Sequence, residues 1–107
     1  MIEEIVQKIW EGARIEAGYD PEIWRKDFAG AWIRREEFGK NGDFGWVIDH
    51  IKPKSLGGTD DLTNLQPLHW RNNICKSDSY KIVHTCITSE GDTNIEQEKT
   101  WRLVTPR

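Results

Sequence analysis

Apolar positions along the chain follow three patterns, each predicting a different element. Ile2, Ile5, Val6, Ile9 and Ala13 recur at helical spacing, which predicts an amphipathic helix over residues 2–17 stopped by Gly18. That helix either covers the domain's own core or docks a partner. Asp20-Pro21 reads as an N-cap followed by proline at the first helical position, opening a short helical turn that carries Trp24. Ala31-Trp32-Ile33 reads as extended, and Asn41-Gly42 supplies a turn because that pair tolerates positive φ. Trp46 and Ile48 then alternate with Val47, the period of a strand. Near the C-terminus, residues 80–88 are rich in β-branched side chains. A turn-like run over 89–94 and the apolar Thr100–Val104 follow, together predicting a β-hairpin.

The middle of the chain, residues 45–78, breaks from simple alternation. A short apolar strand ends abruptly in the polar pair Asp49-His50, and a loop with Pro53 and Gly57-Gly58 follows. Leu65-Gln66-Pro67-Leu68 then leads into a stretch from His69 to Ser77 that can be helical. Strand, wide loop, strand and helix make a ββα unit in which Asp49, His50, Asn64 and Asn73 can converge. On a straight strand Asp49 and His50 would face opposite ways, so a shared site requires the backbone to bend there.

Composition narrows the class. At 107 residues the chain has room for one α+β domain with a single modest core. No segment approaches the roughly 18 apolar residues of a membrane span, and the N-terminus lacks the basic start and apolar run of a signal peptide. Cys75 and Cys86 form no Cys-x-x-Cys pair and no disulfide framework, so Cys75 reads as a packed helix residue and a reducing cytoplasm as the compartment. Net charge is −3, but its distribution is uneven. Residues 1–24 hold six acids and two bases, and residues 25–76 hold nine bases and seven acids. Arg25, Lys26, Arg34, Arg35, Lys52, Lys54, Arg71 and Lys76 are therefore expected to gather near the central stretch. Such a patch steers phosphate even on an acidic protein, although charged runs are also ordinary solvated faces.

Asp49-His50-Ile51 with Pro53 behind, the Gly57-Gly58 loop, Asn64-Leu65, and Asn73 followed by Lys76-Ser77-Asp78 resemble the HNH (ββα-metal) nuclease family. The intervals from His50 to Asn64 and from Asn64 to Asn73 are similar to those in the HNH domain of CRISPR RNA-guided nucleases. The resemblance covers about a third of the chain and implies a central ββα-metal motif at residues 45–78 of one nuclease domain spanning 1–107. It implies His50 as general base, Asp49 and Asn73 as metal ligands, and Asn64 as the brace of the catalytic loop. Asn73 stands where the family usually has a final His. The two zinc-binding Cys-x-x-Cys pairs of many members are missing, so no structural zinc is expected. Burial of Trp24, Trp32 and Trp46 would staple the fold instead, while stacking on bases is the alternative for these rings.

One carboxylate and one amide oxygen suit Mg²⁺ or Mn²⁺, hard ions that keep several waters. An imidazole that titrates near neutrality suits proton removal from water. His69, four residues before Asn73, has a capping, packing or phosphate-contact role, with a third metal contact as a further alternative. Phosphate contacts are also expected from Arg34, Arg35, Lys52, Lys54, Arg71 and Lys76, and His84 reads as structural. The expected activity is metal-dependent nicking of DNA with low intrinsic sequence specificity. Control would come from a regulatory, inhibitor or fused partner in a phage, defence or toxin setting. Two alternatives remain: a ββα module that binds nucleic acid or protein without cutting, and an RNA-cleaving nuclease.

Overall fold

The computed structural model describes residues 2–103. Among them are two α-helices and three two-stranded antiparallel sheets, a small α+β arrangement. Helix α1 spans Ile2–Trp10, and strands β1 (Trp24–Lys26) and β2 (Trp32–Arg34) make the first sheet. Strand β3 (Trp46–His50) pairs with β4 (Leu65–His69), and helix α2 (Trp70–Lys76) follows β4 directly. Strands β5 (Ile82–Glu90) and β6 (Thr93–Arg102) form the C-terminal hairpin, with a register shift between Thr85 and Ile87. No helix among the described residues is long and apolar enough to cross a membrane.

Helix α1 buries Val6, Ile9 and Trp10, which pack with Ala13, Ile33 and Trp46 in the main core cluster. Covering the domain's own core is thus one task of this helix, although Ile2 and Ile5 on it remain exposed. It stops at Trp10, well short of residue 17. The reason lies downstream, where Arg14 exchanges backbone hydrogen bonds with Lys26 and pulls the chain into an extended path. The Arg25 guanidinium takes the carbonyls of Glu11 and Ala13 at 3.0 and 3.3 Å, filling acceptors that a continuing helix would have used. Residues 21–23 form a turn instead of a helix, with Asp20 Oδ1 accepting from Glu22 N, and Trp24 opens β1.

Asp27, only 1% exposed, joins the first sheet to the middle of the chain. Its Oδ1 accepts from the amides of Ala29 and Ala31, and its Oδ2 from the His69 amide and Asn72 Nδ2, all within 3.0 Å. Asn72 carries the linkage onward: its Oδ1 accepts from Cys86 N and Ile87 N, and its Nδ2 also donates to Ile87 O. The junction of β4 and α2 is therefore fixed from both sides.

Tryptophans also act as pins. Trp10, Trp32, Trp46, Trp70 and Trp101 each donate their indole N–H to a protein oxygen, as buried indoles usually do. Trp32 and Trp46 are buried as expected, and Trp24 is half-buried, packed edge-on against Trp32 and Phe44.

The cysteines correct the sequence reading. Cys75 and Cys86 form a disulfide that ties α2 to β5. Cys75 is an exposed helix position, not a packed one, and the pairing removes the ground for expecting a reducing compartment. The hairpin is present, but β6 starts at Thr93, earlier than the apolar run suggested, and Val104 lies outside the described residues.

Candidate active site

Strand β3 ends at His50, and the chain bends at Ile51-Lys52 into the loop that returns at Asn64. The register sets Asp49 opposite Gln66 and His50 opposite Leu65. Asn64 fastens the two ends of the loop. Its Oδ1 accepts from Lys52 N at 2.8 Å, its Nδ2 donates to Lys52 O and Thr59 O, and its own carbonyl accepts from Ile51 N. Glycine is required where the loop folds on itself. A Cβ on Gly58 would lie 1.7 Å from Lys52 O, and Gly57 has φ +92°.

Asp49, His50 and Asn73 line one open cavity of about 390 Å³, together with Lys54, Ser55 and Asp78. Asn64 stands outside this lining and contacts the loop backbone. The bend after His50 reconciles the shared cavity with the alternation of strand side chains. Asp49 is 5% exposed; its Oδ2 accepts from Gln66 Nε2 at 2.9 Å and its Oδ1 lies 3.2 Å from Lys76 Nζ. Burial raises its pKa above the usual carboxylate value, against the opposing effects of the Gln66 hydrogen bond and the Lys76 charge.

His50 pairs through Nε2 with Asp60 Oδ1 at 2.8 Å, and Lys54 Nζ lies 3.1 Å from Asp60 Oδ2. The hydrogen bond from His50 and then the Lys54 contacts hold the Asp60 carboxyl below its usual range. With Nε2 bonded to Asp60, Nδ1 is the other hydrogen-bonding nitrogen of the ring.

The expected phosphate contacts need correction. Lys76 is 1% exposed and His69 2%, so neither presents its side chain to a phosphate. Lys76 Nζ donates to His50 O at 3.0 Å besides its ion pair with Asp49. His69 caps α2, one of the roles expected of it: its Nδ1 accepts from Arg71 N at 3.1 Å and its Nε2 bonds Asp43 O at 2.9 Å. Burial lowers its pKa, with the Asp43 carbonyl opposing. Arg35 is bound to Glu3 and Gln7, Arg71 to Glu96, and Arg34 stacks over Trp24. Lys52 lies near the Tyr80 ring, its Nζ 6.0 Å from the centroid. Of the seven side chains expected to meet phosphate, Lys54 alone lines the cavity. Arg25, also counted in the expected patch, is spent inside the fold.

Sequence reading missed Asp60, Gln66, Asn72 and Asp27. Gln66 follows from the strand register once β3 and β4 are paired, since it sits directly across from Asp49. Asp60 and Asp61 are adjacent, and composition offers no way to choose between them. Asp27 and Asn72 lie 45 residues apart, and nothing local in the sequence joins them.

Among the described residues, no three His, Cys, Asp or Glu side chains gather as a metal-binding group. The cavity instead offers the Asp49 carboxylate, the Asn73 amide, the exposed Asp78 carboxylate and the Ser55 hydroxyl. That oxygen set fits a hard divalent ion that retains most of its water. An imidazole paired to a carboxylate, beside a cavity lined by oxygen donors, is a combination that water-activating hydrolytic sites use. Residues 39–79 match the family model described as HNH endonuclease, a stretch that holds β3, β4, α2 and the lining of this cavity. The match points to a nuclease-type function for this segment. Neither the comparison with curated proteins nor that with solved structures gave a match.

Proposed function

We propose that the chain is a metal-dependent endonuclease that hydrolyses DNA phosphodiester bonds, nicking one strand at a time with low intrinsic sequence specificity. In this reading β3, β4 and α2 are the ββα-metal core of a single nuclease domain spanning residues 1–107. The observation that carries the reading is the convergence of Asp49, His50 and Asn73 on one open cavity inside the segment that matches HNH endonucleases.

His50 Nδ1 accepts the proton of the attacking water. Asp60, bonded to Nε2, fixes the imidazole in the tautomer that leaves Nδ1 free and stabilises the charge it acquires. Asn64 holds the backbone just beyond His50 and so sets where the ring sits. Asp49 and Asn73 are the residues that hold Mg²⁺ or Mn²⁺, with Asp78 within the same lining. Such an ion, when bound, supplies neutralisation of the charge that builds on the phosphate oxygens and the leaving group. Lys54 places a cation at the mouth of the cavity, where a neighbouring phosphate would lie. A regulatory, inhibitor or fused partner is the expected source of target choice.

The test is supercoiled plasmid and structured RNA incubated with Mg²⁺, Mn²⁺ or EDTA, for the wild type and His50→Ala. Nicked plasmid that requires the metal and falls by about 10²–10⁴-fold in the variant supports the proposal, since that is the usual contribution of a general base. Band shift without nicking, or cleavage of RNA alone, overturns it.

A further inference from the structure

Lys76 is the most unusual charge in the molecule. Its side chain is 1% exposed, although lysine is almost never fully buried unless paired. It leaves α2 one turn after Asn73 and ends between two groups of β3, the Asp49 carboxylate at 3.2 Å and the His50 carbonyl at 3.0 Å. Asp49 is buried nearly as deeply, its side chain 6% exposed. Its second oxygen is taken by the neutral amide of Gln66. Burial leaves the ammonium without water and the carboxylate with little beyond the edge it shows to the cavity, so each depends on the other.

We propose, building on the nuclease reading above, that Lys76 is a positioning residue that serves as the resident counter-cation of Asp49. The ammonium holds the carboxylate in place while the cavity holds no divalent ion. It also competes for Oδ1 with any divalent ion that enters. An Asp49–Lys76 pair is neutral as a unit, so it attracts a cation much less than a bare carboxylate does. The anionic phosphate of a bound substrate restores the missing negative charge. Metal affinity is thereby low in the free protein and rises when a phosphodiester occupies the site. The same lysine fixes the backbone at His50, so the base and the ligand share one support.

Two measurements test this without using cleavage. In the first, free Mn²⁺ is followed by electron paramagnetic resonance during titration of the nucleic-acid-free protein. Lys76→Met is expected to bind Mn²⁺ at least 10-fold more tightly than the wild type, and Asp49→Asn/Lys76→Met is expected to lose that gain. Equal or weaker binding by Lys76→Met, at a temperature where circular dichroism shows it folded, overturns the proposal. In the second, melting temperatures are compared in EDTA. Lys76→Met leaves a buried carboxylate without a counter-charge and is expected to melt well below the wild type or to fail to fold. Adding Asp49→Asn to it is expected to recover a large part of the loss, and no recovery overturns the proposal. A chain that cuts no nucleic acid yet gives both expected results loses the nuclease reading and keeps this one.

Discussion

Two aspartates are buried among the described residues, and they sit in contrasting surroundings. Around Asp27, four donors converge, three of them backbone amides, and no cation is among its hydrogen-bond partners. Asp49 has two partners, an amide side chain and an ammonium, and it lines an open cavity. Burial raises the pKa of both. A carboxylate with a full set of rigid donors holds elements together and has nothing left to offer a ligand. One with movable partners and an open side can change partners, which a reaction requires. The Asp27 region thus builds the frame, and the Asp49 region works within it.

The sharpest test of this contrast is Asp49→Asn against Asp27→Asn. Asp49→Asn is expected to reduce plasmid nicking by more than about 10²-fold at a temperature where circular dichroism shows folded protein. Asp27→Asn turns one acceptor into a donor that faces fixed donors. It is expected to lower stability in urea by about 2–5 kcal/mol, because buried donors are left unsatisfied. Its folded fraction should still nick at close to the wild-type rate; an inactive but fully folded Asp27→Asn would break the comparison.

The next effect concerns the disulfide that supports α2 from the side of β5. Cys75→Ser/Cys86→Ser frees an 11-residue separation and is expected to lower stability by about 2–3 kcal/mol in chemical denaturation. Asn72 still anchors the helix, so the far-ultraviolet spectrum should be unchanged. A smaller effect is expected at the imidazole. Asp60→Asn keeps a hydrogen-bond acceptor but removes the charge, and should slow nicking by about 10-fold with no change in Mn²⁺ affinity. A loss of Mn²⁺ binding would assign Asp60 to the ion rather than to His50.

The smallest concerns His69, whose burial holds its folded pKa below the ordinary 6.5. As pH falls below 6.5, the unfolded chain takes up the proton first, so stability is full above that value and declines through the folded pKa. His69→Asn, which can still cap α2, should flatten that part of the stability profile measured by denaturation at successive pH values.

Much of this was legible in the sequence where the information is local. The order of β3, β4 and α2, the hairpin and the loop glycines follow from spacing and turn chemistry within a few residues, whereas the turn expected at Asn41-Gly42 falls at Asp43-Phe44 without positive φ at either residue of that pair. The convergence of Asp49, His50 and Asn73 on one cavity follows from that order. What was not legible depends on distant partners. Helix α1 ends early because Arg25 claims the carbonyls of Glu11 and Ala13 just past its end, and the Asp27–Asn72 bond and the disulfide join segments with no shared pattern. The expected basic patch failed for a similar reason. A string of letters gives the sign of a side chain but not whether it is buried, as Lys76 is, or already spent on a neighbour, as Arg35 is.

Asn72 and Asn73 are neighbours in sequence that divide the labour of α2, one facing β5 and the other facing the cavity. One residue of helix turns a side chain through about 100°. A single insertion between His69 and Asn72 would therefore turn Asn72 toward the cavity and take both the anchor and the ligand out of place, whereas extra residues at the exposed Leu62-Thr63 stretch of the preceding loop, outside the cavity lining, would spill into solvent. Length variation among descendants of this chain should accordingly be tolerated before β4 and forbidden just after it.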